Sequence, residues 1–195
     1  MTTQSATRGQ AVAPMDLAYV AVFAALIAAM SLTPAIPVAG LAAPITLQTL
    51  AVMLAGLCLG AWRGAAAVAL YLLVGLAGLP VFAGGKAGIA AFVGPTGGYL
   101  VAFIVSAFLI GLAAQRIVRS TSRLRFVWLL VACLVTRVVV IWPLGVLGMA
   151  RALGKPASAL WAADLVFWPG DVIKAVIACL IAVAVHKAFP RLLGR

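Results

Sequence analysis

Apolar residues run along this chain in long blocks, separated by short polar or Gly/Pro-rich breaks. The blocks predict helices over Leu17–Leu32, Ile45–Gly60, Gly64–Leu79, Gly97–Ala114, Phe126–Met149 and Asp164–Ala188. Sustained apolar runs without a period of two fit membrane-spanning helices and not strands. Several hold only about 16–18 clearly apolar residues, near the lower limit for crossing a bilayer at about 1.5 Å rise per residue. Helices two and three are expected to form a tight hairpin with Ala61-Trp62-Arg63 as its whole linker.

Composition strengthens this picture. The chain is 66% hydrophobic with a mean hydropathy of +1.24, and it has no room for a separate soluble domain. The expected fold is an all-α integral membrane protein, a six-transmembrane-helix bundle. Residues 1–16 form an N-terminal extension, 17–189 the bundle and 190–195 a basic tail.

Charge then sets the orientation. The net charge is +11, from 14 basic and 3 acidic residues. The basic residues flank apolar runs and do not form a patch interleaved with aromatics, so nucleic acid is not an expected partner. With the N-terminus inside, the cytoplasmic segments carry Arg8, Arg63, Arg116, Arg119, Arg123, Arg125, Lys187, Arg191 and Arg195; the outer loops carry Lys86, Arg151 and Lys155. Nine against three favours both termini in the cytoplasm. Arg8, the following apolar run and small residues near Ala39 imitate a secretory signal. Cleavage there would remove the first helix and upset the charge agreement, so the helix is expected to be retained.

The remaining chemistry is sparse. Cys58, Cys133 and Cys179 lie in apolar runs without CxxC spacing and are expected to be small core residues. One histidine, His186, and three scattered acids leave little for metal ligation or hydrolysis. Asp164 and Asp171, seven residues apart, can share a helix face, but neither has an evident activating partner for catalysis.

Two loops on the outer side stand out. Residues 33–44 contain three prolines and no charge, and residues 79–98 are rich in glycine and proline. Polar backbone at membrane depth must be satisfied by protein or water, so apolar loops of this kind are expected to fold as a lid. Gly94-Pro95-Thr96-Gly97-Gly98 lacks the Gly-Lys-Ser/Thr ending of a phosphate-binding loop. On helix one, Ala21, Ala25 and Ala29 recur at steps of four. Such a face lets another helix approach closely, either within the bundle or from a partner.

The densest chemistry is Phe167-Trp168-Pro169-Gly170-Asp171-Val172-Ile173-Lys174. A carboxylate and an ammonium three residues apart face one direction on a helix. An ionisable group within a bilayer costs roughly 2.5–3.5 kcal/mol on insertion scales, so both are functional candidates. Arg137, midway along the fifth helix, is expected to pair with Asp171 or Asp164, or to line a cavity.

Four blocks, taken in order and spacing, carry a resemblance: Pro44-Ile45-Thr46-Leu47-Gln48-Thr49-Leu50, Gly78-Leu79-Pro80-Val81-Phe82-Ala83-Gly84-Gly85, Gly94-Pro95-Thr96-Gly97-Gly98-Tyr99, and Pro169-Gly170-Asp171-Val172-Ile173-Lys174. From helix one to helix six the chain resembles the BioY family, the biotin-specific S components of energy-coupling factor (ECF) transporters. The resemblance implies a bundle in the cytoplasmic (inner) membrane that captures biotin from outside. It also implies partners, namely a transmembrane coupling protein and two ATP-binding-cassette ATPases. The chain itself carries no Walker motif and no expected cofactor, and it is not expected to be an enzyme.

The resemblance implies substrate-binding roles for Asp171, Lys174, Tyr99, Gly85, Thr96 and Gln48, and coupling-protein docking for Ala21, Ala25 and Ala29. Biotin offers ureido N–H donors, a carbonyl, an apolar thiophane ring and a carboxylate. An acid and an ammonium supply the complementary acceptor and donor. Trp168, Tyr99, Phe82 and Phe92 are candidates to cover the thiophane ring. Lys86 lies in the lid, where the family pattern varies. An S component for another vitamin is the alternative within the class; the lack of an N-terminal histidine counts against nickel or cobalt.

Overall fold

The structure, a computed structural model, describes residues 14–38, 43–120, 123–190 and 192–193. Arg8, Ala39, Arg191 and Arg195, and with them most of the expected N-terminal extension and basic tail, lie outside the described residues. Among the described residues the chain is helical, with β-structure confined to two isolated antiparallel bridges, Ile36–Ile45 and Phe82–Lys86. The helices are α1 (Pro14–Ser31), α2 (Gln48–Leu59), α3 (Ala61–Leu76), the short α4 (Ile89–Val93), α5 (Gly97–Arg119), α6 (Arg125–Leu153) and α7 (Ala157–Ala188).

Four of these, α1, α5, α6 and α7, are long and apolar enough to cross a membrane. The helices α2 and α3 have 12 and 16 residues, about 18 and 24 Å at 1.5 Å per residue, short of a hydrocarbon core of about 30 Å. Their hairpin is tighter than the sequence pattern suggests. Ala61-Trp62-Arg63 is the first turn of α3, and Gly60 alone joins the helices. Gly60 has φ +82°, and the corner lies so close to α5 that a Cβ on Gly111 would stand 2.3 Å from the Gly60 carbonyl carbon. Only a residue free to adopt positive φ turns the chain there.

Two prolines shape the helices that carry the charged groups. Pro143 has no N–H to donate back along α6 and crowds the preceding turn. The helix widens just ahead of it into a π turn over Arg137–Ile141 and continues from Trp142. In α7, Pro169 is preceded by a tighter 3-10 turn over Leu165–Phe167. The sixth helix therefore does not begin at Asp164. It begins at Ala157, directly after Pro156, and Asp164 is an interior residue of one long interrupted helix. The lid expected between helices three and four also contains α4, which the glycines around it hide from a periodicity reading.

Helix α5 lies at the centre, against α2, α3 and α6; α1 packs on α3 and α2, and α7 on α2 and α6. One buried cluster joins Ile27, Ala51, Ala55, Tyr71, Phe82 and Phe103; a second joins Leu57, Ile110, Leu129, Cys133 and Cys179. All three cysteines are buried and free. Interhelical crossings depend on small residues: a Cβ on Gly148 would lie 2.5 Å from the Gly98 Cα, so α5 and α6 touch backbone to backbone.

Both described ends of the chain lie at one end of the bundle. Arg63 bonds Asp16 of α1 at 3.1 Å and the Leu192 carbonyl at 2.5 Å. At the opposite end, the chain leaving α1 returns through the Ile36–Ile45 bridge, and the lid folds over the C-terminal end of α3, with Gly88 N–H donating to the Gly75 carbonyl at 2.7 Å.

Candidate functional site

A cavity opens under the lid, at the end of the bundle away from the chain termini. Its walls come from Ala43–Thr46, the start of α2 (Gln48, Thr49), the lid (Phe82, Ala83), Thr96, the first turns of α5 (Tyr99, Leu100, Phe103), Arg137 of α6, and Phe167, Asp171 and Lys174 of α7. Each proline-linked interruption lies beside a charged group: the π turn begins at Arg137, and the 3-10 turn separates Asp164 from Asp171.

The charged floor is a closed network. Arg137 donates through Nε to Asp171 Oδ2 at 2.7 Å and through Nη2 to Asp164 Oδ2 at 2.6 Å. Lys174 Nζ donates to Asp171 Oδ1 and to Thr49 Oγ1, both at 3.1 Å. The Thr49 hydroxyl donates to Asp171 Oδ1 at 3.1 Å, and the Tyr99 hydroxyl donates to Asp164 Oδ1. Asp164 is fully buried, and Arg137, Asp171 and Lys174 are 8% exposed or less.

Removing an isolated charge from water costs several kcal/mol, so such groups persist only when paired and hydrogen-bonded. Two cations and two carboxylates cancel here. Lys174 has three N–H donors and spends two within the network. Arg137 Nη1 is buried with no partner among the described residues, and the guanidinium lies 5.7 Å from the Trp168 ring centroid.

The apolar walls are seated on glycines. The Phe82 ring occupies the place of a side chain at Gly75, where a Cβ would come within 2.2 Å of its Cζ, and meets Tyr71 and Phe92 edge-on. The Tyr99 ring lies on Gly145 in the same way, with 2.2 Å to a Cβ there. Besides the charged floor, Phe82, Leu100, Phe103, Phe167 and Ile45 give the cavity an apolar lining. The arrangement can hold a compact ligand with an apolar body and both donor and acceptor groups.

Five of the six residues expected to bind substrate meet at this cavity: Asp171, Lys174, Tyr99, Thr96 and Gln48 all line it. Gly85 does not. It is exposed in the turn of the lid, where its N–H donates to the Phe82 carbonyl at 2.9 Å and its φ of +71° suits glycine. Of the aromatics considered as covers, Tyr99 and Phe82 line the cavity, Phe92 stands behind Phe82, and Trp168 lies under Arg137. Lys86 is exposed in the lid turn.

Arg137 does both things considered for it, pairing with both acids and lining the cavity. Thr49, Phe103 and Phe167 were not singled out from sequence. Thr49 is the residue after Gln48 in the first block, and its position in that block was the available signal. Among the described residues no three His, Cys, Asp or Glu side chains are grouped to hold a metal.

Ala21, Ala25 and Ala29 fall on one exposed face of α1, while Ala24, Ile27 and Ser31 are buried toward the bundle.

Fold and site together define a multi-pass membrane protein that carries a charge-balanced pocket beneath a lid. The BioY family model matches residues 2–191, and the chain belongs to that family. It is 40% identical to the Biotin transporter BioY of Rhizobium etli over 182 residues, covering 92% of this chain and 97% of that one. It is 40% identical to the Biotin transporter BioY of Rhodobacter capsulatus over 184 residues, covering 90% and 95%. A crystal structure of the S-component for biotin from an ECF-type ABC transporter superposes with a TM-score of 0.83 at 33% identity, covering 89% of this chain and 91% of that one.

Proposed function

We propose that this chain captures biotin for uptake as the S component of an ECF transporter. The observation that carries the reading is the pocket of a BioY-family fold whose floor offers a carboxylate and an ammonium side by side, Asp171 and Lys174, beneath apolar walls. Asp171 accepts from the ureido N–H groups, and the third N–H of Lys174 donates to a ligand oxygen. Thr96, Gln48 and Tyr99 complete the polar contacts, and Phe82 and Phe103 cover the thiophane ring. Gly85 serves through the lid turn that carries Phe82. The site binds its ligand without transforming it, as suits a capture subunit and not an enzyme.

The helices α1, α2, α3, α5, α6 and α7 make a six-helix bundle in the cytoplasmic membrane, in which the short α2 and α3 cross together with the segments at their ends, with both termini inside and the lid outside. The basic bias of the sequence and the shared position of Asp16 and Leu192 beside Arg63 support this orientation. Residues 1–16 and 190–195 are then cytoplasmic extensions of the 17–189 bundle. The exposure of Ala21, Ala25 and Ala29 supports docking of a transmembrane coupling protein on α1, with two ATPases attached to it.

Uptake of labelled biotin into cells that lack their own biotin transporter, with and without a coupling module, tests the reading. Uptake should appear only when this chain is made, and excess thiamine or riboflavin should leave it unchanged. Uptake of another vitamin with biotin ignored would overturn it.

A further inference from the structure

We infer that the Tyr71 hydroxyl is a positioning group that ties the C-terminal end of α1 to the pocket and to its lid. Tyr71 is 1% exposed on α3 and does not itself line the cavity. Three other segments converge on its oxygen. Gln48 Nε2 of α2 lies at 2.9 Å, Ser31 Oγ, the last residue of α1, at 3.1 Å, and the Val81 carbonyl of the lid at 3.3 Å.

A phenol has one proton and two lone pairs. The Gln48 amide N–H can only donate to it, and the Val81 carbonyl can only accept from it. One order satisfies all three contacts: Gln48 N–H and Ser31 O–H donate to the Tyr71 oxygen, and Tyr71 O–H donates to Val81. The relay is complete only while Ser31 stays in place. Ser31 is fully buried, so water does not replace a lost partner.

Two partners of the Tyr71 hydroxyl, Gln48 and Val81, lead to the pocket. Gln48 lines the cavity, and Val81 precedes Phe82, which lines it too and meets the Tyr71 ring edge-on at 5.5 Å. The end of α1 is also joined to the site through the chain. The segment that leaves Ser31 returns through the Ile36–Ile45 bridge to Ala43–Thr46, another wall of the cavity. A small movement of α1 at Ser31 therefore reaches two walls and the lid together. Ser31, outside the pocket, controls how long the lid stays shut.

The inference rests on the biotin reading for its ligand, so the test has one arm that needs no ligand. In that arm, amide hydrogen exchange is measured on the ligand-free protein for wild type, Ser31→Ala and Tyr71→Phe. Both variants should speed exchange at the lid N–H groups of Phe82 and Gly88, which bond Lys86 and Gly75, and leave the middle of α5 unchanged. In the second arm, biotin dissociation is timed. Each variant should speed it by roughly 5-fold, about the worth of one hydrogen bond. The double variant should match Tyr71→Phe alone, because both changes break one relay. Unchanged lid exchange in Ser31→Ala, or effects on dissociation that multiply in the double variant, would overturn the inference even if the melting temperature falls. Absence of biotin binding in the wild type, with the lid-exchange result as expected, would instead count against the ligand.

Discussion

Arg137 Nε lies 2.7 Å from Asp171 Oδ2, and this contact joins the π turn of α6 to the first turn of α7 after Pro169. Both groups sit where a proline has disturbed a helix. A regular α6 through Pro143 would force a clash with the preceding turn, and the widened turn relieves it. Arg137 opens that turn. Its planar fork spans Asp171 and Asp164 at once, with Nε and Nη2 held in one plane.

Arg137→Met should therefore cost about 3–5 kcal/mol of stability, because it strands the buried Asp164 without its cation and takes one of two cations from Asp171. Arg137→Lys should fall between that variant and wild type, since it keeps the charge and loses the fork. Thermal unfolding in detergent without ligand measures both. An Arg137→Met protein that melts with wild type would contradict the structural role of the network.

Asp171→Asn and Lys174→Met should each weaken biotin binding by about 10- to 150-fold, from roughly 1.5–3 kcal/mol per charged hydrogen bond. Methionine keeps most of the lysine stem's volume, so the packing of α7 should change little. A biotin analogue altered in its ureido ring should lose less against Asp171→Asn than against wild type, because both changes delete one contact. Normal affinity together with early melting would make the pair purely structural.

Gly145→Ala should disturb the pocket without touching it. The new methyl would stand 2.2 Å from Tyr99 Cε1, so the ring must leave its seat and its bond to Asp164 must lengthen. Overpacking of this kind costs about 1–3 kcal/mol. Titration should show weaker biotin binding. A combined Gly145→Ala, Tyr99→Ala protein, which frees the seat, should regain part of the stability lost by Gly145→Ala. No recovery would show that the methyl strains something other than Tyr99.

Ala25→Trp should leave biotin binding close to wild type and abolish assembly with the coupling protein. Ala25 is exposed on α1, on the side away from Ala24 and Ile27, and an indole there blocks close helix approach. Co-purification of the coupling protein reads the effect. If the variant lost binding and folding together, the face would belong to internal packing.

The sequence made the helical blocks plain because their apolar runs are long, and it made Asp171 and Lys174 plain because charge within such a run is rare. The helix ends were less legible. Nothing in Ala61-Trp62-Arg63 says that a single glycine suffices to turn the chain; that depends on how closely Gly111 of α5 can approach it. Hydropathy put the start of the sixth helix at Asp164, whereas Pro156 sets it, at Ala157. Thr49 went unnoticed because a hydroxyl in an apolar helix gains meaning only from its partners, Asp171 and Lys174 on a distant segment. Gly85 stood out as part of a motif, yet its place is in the lid turn, where its backbone and not a side chain does the work.

Calorimetric titration of the purified, detergent-solubilised protein with biotin tests the central claim most directly. The account predicts saturable one-site binding of biotin, binding weaker by about 10- to 150-fold in Lys174→Met, and no signal with thiamine, riboflavin or Ni²⁺. A protein that unfolds as wild-type material should, gives no response to biotin and binds one of the other ligands would contradict it.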